Sequence, residues 1–139
     1  MLAAGILSFC LVGIMKLFIC TAAQASLAGS KTLAVSQAQN KIEEIRDRAF
    51  ENITAAYGTG GTPGPTFTLD RLEGVGTVDI DAANAELLRI KVSVFWRDKY
   101  GRIIGEDANL NGMLDSGEDV NGNGALDSPV TVMSMITRR

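Results

Sequence analysis

The 139-residue chain contains no histidine. That removes His-based acid–base catalysis, Ser-His-Asp and Cys-His sites, and most catalytic zinc sites together. Cysteine is nearly missing as well: Cys10 and Cys20 are the two present, both in an apolar N-terminal segment. Ten residues apart on one helix, they stand about 15 Å apart along the axis, too far for a disulfide. They read as small hydrophobes facing lipid or neighbouring helices. No basic patch offsets the net charge of −3, so nucleic acid is a poor candidate partner. Proline occurs three times and never before Pro63, which leaves the first 62 positions free of the strongest helix breaker.

The segment Met1–Cys20 is almost wholly apolar, with Lys16 as its one charge. As a helix it is about 30 Å long, the thickness of a bilayer core. A cleaved secretory signal is one reading, because Ala23-Gln24-Ala25 before Ser26 resembles a cleavage site. No Lys or Arg precedes the apolar run, however, and Lys16 falls where the apolar centre should be. A buried core helix is a second reading, but one small domain rarely encloses 20 such residues. A membrane-spanning helix with Lys16 reaching for the interface fits best. Ala3, Ala4, Gly5 and Gly13 are small enough to let such helices approach closely, or equally to serve as lipid-facing filler.

The helical pattern continues past the apolar run. From Thr21 to Ile53 there is no proline and one glycine, Gly29. Val35, Ala38, Ile42, Ile45 and Ala49, with Ile53 nearly in line, recur at alternating three- and four-residue steps and form one seam. Glu44 and Arg48 are spaced as a favourable i, i+4 pair. The expectation is one unbroken helix from Met1 to about Ile53, its first 20 residues membrane-soluble. The run GTGGTPGP after Tyr57 is a linker.

Beyond the linker the pattern changes to that of strands. Val75–Ile80 is one candidate. In Leu87–Trp96, Leu88, Ile90, Val92, Val94 and Trp96 share a face opposite Arg89, Lys91 and Ser93, as in a half-buried antiparallel strand. Asp98–Gly101 reads as a turn, Arg102–Gly105 as a sheet extension and Pro129–Thr137 as the last strand. The expected fold class is α+β: a long N-terminal helix, transmembrane in its first half and amphipathic in its second, packed on a small antiparallel sheet. Its parts are a transmembrane segment over 1–20, an amphipathic helix over 21–56 and a β-domain over 57–139.

The acidic side chains concentrate between these last strands. Asp107, Asn109, Asn111 and Asp115 occupy positions 1, 3, 5 and 9 of a calcium-binding loop, with Gly112 at position 6 and Glu118 at position 12. Ca²⁺ takes six to eight oxygens, and this spacing supplies them, with a glycine at the sharp turn and a bidentate glutamate closing the cage. Met113, at position 7, contributes its backbone carbonyl. A second copy follows at once: Asp119, Asn121, Asn123 and Asp127, with Gly124 at position 6. Its position 12 is Val130, so it lacks the closing carboxylate and should bind more weakly. A polar turn-forming surface loop explains one such pattern but not two in register. The flanking helices of an EF-hand are missing, so the ion, Ca²⁺, is expected to stiffen a connection between strands.

Taken together, these segments resemble a type IV pilin-like protein, in particular a minor pilin or a minor pseudopilin of a type II secretion system. The likeness rests on the apolar MLAAGILSFCLVGIMKL, on SQAQNKIEEIRD (Ser36–Asp47), on KVSVFWRD (Lys91–Asp98) and on the terminal VTVMSMITRR. It covers nearly the whole chain apart from the calcium loops. It implies a structural subunit anchored in the bacterial inner membrane by a single pass, with its C-terminal domain extracytoplasmic. Its partners would be other pilin-like subunits, through the N-terminal helix. The chain departs from that pattern at its start, where the basic leader, the peptidase junction and the assembly glutamate should stand, and an N-terminus cut short is therefore expected. A membrane-anchored calcium-binding or adhesion module, similar to a dockerin, is the alternative. Catalysis is not expected, nor a small-molecule substrate: Glu73, Glu86 and Tyr100 read as surface or turn residues, and no nucleophile or base sits in a recognised motif.

Overall fold

The computed structural model describes residues 2–138, with the side chains of residues 2–10 left out of account. Expectations that concern Met1 or the side chains of Ala3, Ala4 and Cys10 lie outside the described residues. The molecule is α+β: a long N-terminal helix lies against a five-stranded antiparallel sheet.

Helix α1 spans Leu2–Arg46, 45 residues, and Gly29 does not break it. It does not run on to Ile53 as the seam suggested. Residues 47–49 leave the helical path, with Ala49 extended at φ −62° and ψ 136°. A separate helix, α2, follows over Phe50–Tyr57. The packing explains the break. The Tyr57 hydroxyl donates to Glu44 Oε1 at 2.9 Å. In a straight helix these residues, 13 positions apart, would be separated by about 20 Å. The reversal brings Ile53, Ala56 and Tyr57 into the core beside Ile42 and Ile45. It also carries Arg48 off the helical face where it was to pair with Glu44. Arg48 donates instead to the Tyr57 hydroxyl at 3.1 Å, and Glu44 pairs with Lys41 at 2.6 Å.

The sheet comprises β1 (Thr66–Thr68), β2 (Gly74–Asn84), β3 (Leu87–Arg97), β4 (Ile103–Ile104) and β5 (Thr131–Thr137). β3 is central. It pairs with β2 on one side, in the register Val78↔Val92, while β1 extends the sheet beyond β2. On its other side β4 pairs with Trp96 and Arg97, and β5 pairs with Leu87 through Ser93. β4 and β5 thus lie end to end along one edge of β3. The loop between them is an excursion that leaves and re-enters the sheet at neighbouring points.

The face formed by Leu88, Ile90, Val92, Val94 and Trp96 meets Ala34, Ala38, Ile42 and Ile45 of α1. Val35 is half-buried, and Ala49, in the break, is exposed. The opposite face was expected to be solvated, and Arg89 is. Ser93 and Phe95 on that face are buried. The excursion covers them: a Cβ on Gly105 would stand 2.5 Å from Phe95 Cδ1, and one on Gly112 would stand 2.6 Å from Thr66 Cγ2. The sheet is therefore covered by a helix on one side and, over its Ser93–Phe95 end, by the loop region on the other.

Candidate metal-binding loops

Two short polar loops fill the excursion. In the first, Asp107 turns back on the chain and accepts from Asn111 N at 3.1 Å and Gly112 N at 2.7 Å. Gly112 has φ +75°, a conformation costly for residues with a Cβ. Asn109 Oδ1 accepts from Asn111 N, and the side-chain amides of Asn109 and Asn111 donate to Asp115 Oδ2 at 2.7 and 2.8 Å. Glu118 closes the loop across its mouth, accepting from Ala108 N at 2.9 Å and Asp115 N at 3.0 Å. The five side chains chosen from spacing are thus drawn together around one turn. Met113 has its backbone N–H on Asn111 Oδ1 and its side chain in solvent.

The second loop repeats the wiring of the Asp and Asn side chains. Asp119 accepts from Asn123 N at 3.0 Å and Gly124 N at 2.8 Å. Asn121 Oδ1 accepts from Asn123 N, and both Asn121 and Asn123 amides donate to Asp127 Oδ2 at 2.6 and 2.7 Å. Those two amides hold the Asp127 carboxyl below its usual range, aided by the charge of Lys91 and opposed by burial.

Electrostatically the region is unusual. Asp107 is 0 % exposed and Glu118 6 %. Among the described residues, none of the carboxylates from Glu106 to Asp127 forms an ion pair with Lys or Arg. A buried carboxylate is stabilised by backbone N–H groups, but its charge is normally offset by a cation. The donor set is all oxygen, two amides and three carboxylates in the first loop, which suits a hard cation such as Ca²⁺ and not a soft one. Against this, among the described residues no three His, Cys, Asp or Glu side chains converge as an ion-holding group. The carboxylate oxygens are turned onto N–H groups of the loops themselves. The loops fit the chemistry of a calcium site in composition and order, and ion binding would require Asp115 and Asp127 to exchange their amide partners for the cation.

One participant escaped the spacing argument. Asp127 N donates to Glu106 Oε2 at 2.9 Å. The signal was present as a twelve-residue repeat: Gly105–Ser116 and Gly117–Ser128 both read GED-x-N-x-N-G-x-L-D-S. Counting each loop from its first aspartate hides the glutamate that precedes it.

The second feature with functional bearing is α1 itself. One helix, near the N-terminus, is long and apolar enough to cross a membrane, with a mean hydropathy of 1.6 over its most apolar described stretch and none of that stretch buried. Leu11, Val12, Ile14, Met15, Leu17, Phe18 and Ile19 are all more than half exposed.

No family model, curated protein or solved structure matches the chain.

Proposed function

We propose that the protein is a membrane-anchored structural subunit of a pilin-like filament, a minor pilin or pseudopilin, with calcium stabilising its β4–β5 excursion. The observation that carries this reading is the division of α1: one continuous helix whose first part has no partner among the described residues and whose second part is the spine of a small α+β domain. An apolar helix of this kind anchors a subunit in the bacterial inner membrane and then packs with sister helices in a filament core. The sheet domain lies outside the cytoplasm, where free calcium is plentiful enough for sites of modest affinity. No catalytic role is proposed.

The test is cellular fractionation with cross-linking. Cys20 is a free, exposed thiol on the apolar stretch, and Cys10 is the one other cysteine in the chain. The chain should be found in membranes, and thiol cross-linking should join it through α1 to other pilin-like subunits. A protein recovered free of membrane and as a monomer would remove this reading. For the calcium component, melting of the full chain in detergent with calcium or with chelator is decisive. Saturation at 100 times Kd stabilises a one-site protein by about 2.7 kcal/mol. A melting temperature indifferent to calcium would take the ion out of the proposal.

A second reading, an anchored extracytoplasmic calcium-binding or adhesion module, draws support from the two tandem loops. It predicts membrane attachment without cross-linking to pilin-like partners.

A further inference from the structure

We propose that Asn121 is a site of self-modification: the backbone nitrogen of Gly122 displaces ammonia from the Asn121 side chain, and water opens the resulting succinimide to aspartate or isoaspartate. The inference stands apart from the filament and calcium readings above and needs neither.

The reaction needs an electrophilic side-chain carbonyl and a backbone nitrogen free to reach it, and asparagine is thermolabile wherever both are supplied. The excursion holds four asparagines in matched places, Asn109 and Asn111 in the first repeat and Asn121 and Asn123 in the second. Each side-chain carbonyl is polarised in the same way, because Oδ1 accepts from the N–H two residues on. Asn109 accepts from Asn111 at 2.9 Å, Asn111 from Met113 at 2.7 Å, Asn121 from Asn123 at 3.0 Å and Asn123 from Ala125 at 2.8 Å. These turns bend each amide over the residue that follows it. The same donor would stabilise the oxyanion formed when the carbonyl carbon is attacked. The electrophile therefore does not distinguish the four. The attacking nitrogen does.

Asn111 and Asn123 precede glycines whose nitrogens are held. Gly112 N–H donates to Asp107 Oδ2 at 2.7 Å, and Gly124 N–H donates to Asp119 Oδ2 at 2.8 Å. An N–H bonded to a carboxylate gives up its proton reluctantly, and its nitrogen is not available to attack. Among the described residues, neither Leu110 N–H nor Gly122 N–H has an acceptor in the protein. Leu110, at φ +59°, carries a side chain that crowds the approach. Gly122, at φ +72°, has none, and nothing lies within 4 Å of where a Cβ would stand. Asn121 alone of the four is followed by a nitrogen that is both unshielded and unbonded, and the exposure of Asn121 and Gly122 supplies the water.

In the first step the Gly122 nitrogen loses its proton to hydroxide and bonds to Asn121 Cγ. The Cγ–Nδ2 bond breaks, and Nδ2 takes a proton from water and leaves as ammonia. Water then adds to the succinimide: opening at the new bond gives aspartate, opening at the original peptide bond gives isoaspartate, and nothing is oxidised or reduced. Either product removes the amide that donates to Asp127 Oδ2 at 2.6 Å and sets a second carboxylate against it. Asn123 is then the remaining amide donor to Asp127. The change runs one way, so the second loop loosens with age while the first does not.

The test incubates the full chain in detergent with chelator at mildly alkaline pH, in water enriched in heavy oxygen, and follows the excursion by peptide mass spectrometry. Asn121 should convert to aspartate and isoaspartate with uptake of labelled oxygen. It should do so about 10-fold or more faster than Asn111 and Asn123, whose glycine N–H groups must first leave a carboxylate. Gly122→Leu, which copies the first repeat, should slow Asn121 to the rate of Asn109. Leu110→Gly should bring Asn109 up to the rate of Asn121, with an unaltered rate at Asn111 showing that the loop has kept its fold. In denaturant the three Asn-Gly pairs should react alike, because sequence alone then sets their rates. Asn111 or Asn123 reacting as fast as Asn121 in the folded chain overturns the inference. So does an Asn121 that reacts no faster than Asn109, or a rate indifferent to Gly122→Leu.

Discussion

Residues 11–20 and 34–45 of α1 are both rich in apolar side chains, yet Phe18 is 75 % exposed and Ala38 0 %. What separates them is arrangement and what stands opposite. In the first stretch apolar residues occur all round the helix, and among the described residues nothing else faces them. In the second they form the stripe Ala34, Ala38, Ile42 and Ile45 with half-buried Val35 at its margin, and Lys41, Glu43, Glu44 and Arg46 lie outside it. An all-round apolar surface asks for an apolar solvent, and a stripe asks for one packed neighbour. One rigid element thus answers to two environments.

The strongest way to break this contrast is to attack the stripe. Ile45→Ala should cost about 2–5 kcal/mol in a thermal melt, because it empties a fully enclosed site. Ile14→Ala in the first half should leave the same melt unchanged. Equal losses would show that residues 11–20 pack within the protein after all. Next in size, Ile14→Lys should weaken membrane insertion by about 2.5–3.5 kcal/mol if that position lies near the bilayer centre. Flotation measures it, and the melting temperature of the sheet domain should not move.

Tyr57→Phe sharpens the contrast at the far end of α1. It removes the hydroxyl between Glu44 and Arg48 and should cost about 0.5–1.5 kcal/mol, with α2 exchanging its amide protons faster. The smallest expected effect concerns pH. The hydrogen bond from Lys41, with that from Tyr57 and the charges of Lys41 and Arg48, holds the Glu44 carboxyl below its ordinary range against the opposing effect of burial. A carboxyl whose pKa is lower folded than unfolded adds stability above its unfolded value of about 4.3, lost as pH falls through the lower folded value. Glu44 is about half exposed, so solvent screening keeps this below about 1 kcal/mol. Glu44→Gln should flatten the acid limb of the stability profile below about pH 4.3. An unchanged limb would locate acid sensitivity elsewhere. Asp98 is a competing source: burial would raise its carboxyl, but the N–H of Arg102, the Arg102 guanidinium and the N–H of Tyr100 outweigh it and hold it low.

Much of this architecture was legible in the residues, and the failures share a cause. The alternation in Leu87–Trp96 identified β3 because its pattern is local and long. The three-residue β1 was not identified, since Thr66–Thr68 follows two prolines and owes its strand form to pairing with β2. The helix break at 47–49 contains neither glycine nor proline, and Arg48 and Ala49 suit helices well. It is imposed by Tyr57 and Ile53 returning to the core. The pairing of Glu106 with Asp127 was missed for the same reason: it joins residues 21 positions apart. Where neighbours in sequence decide the structure, spacing sufficed. Where distant segments decide it, spacing pointed the wrong way or stayed silent.

The placement of the excursion has one more consequence. Its two ends are tied to β3 at nearly one point: β4 rests on Trp96, while Val94 N donates to Val130 O and the Ser128 hydroxyl donates to Val94 O. Chain tethered in this way contributes closure entropy only logarithmically, and doubling its length costs about 0.6 kcal/mol. Extra length between these anchors accordingly taxes the strand pairing of β3 little, although the excursion also keeps Ser93 and Phe95 buried. Chain added away from Gly105 and Gly112 should therefore leave strand pairing in place, whereas loss of a repeat would uncover Ser93 and Phe95. The segment is therefore permissive toward added length and intolerant of loss.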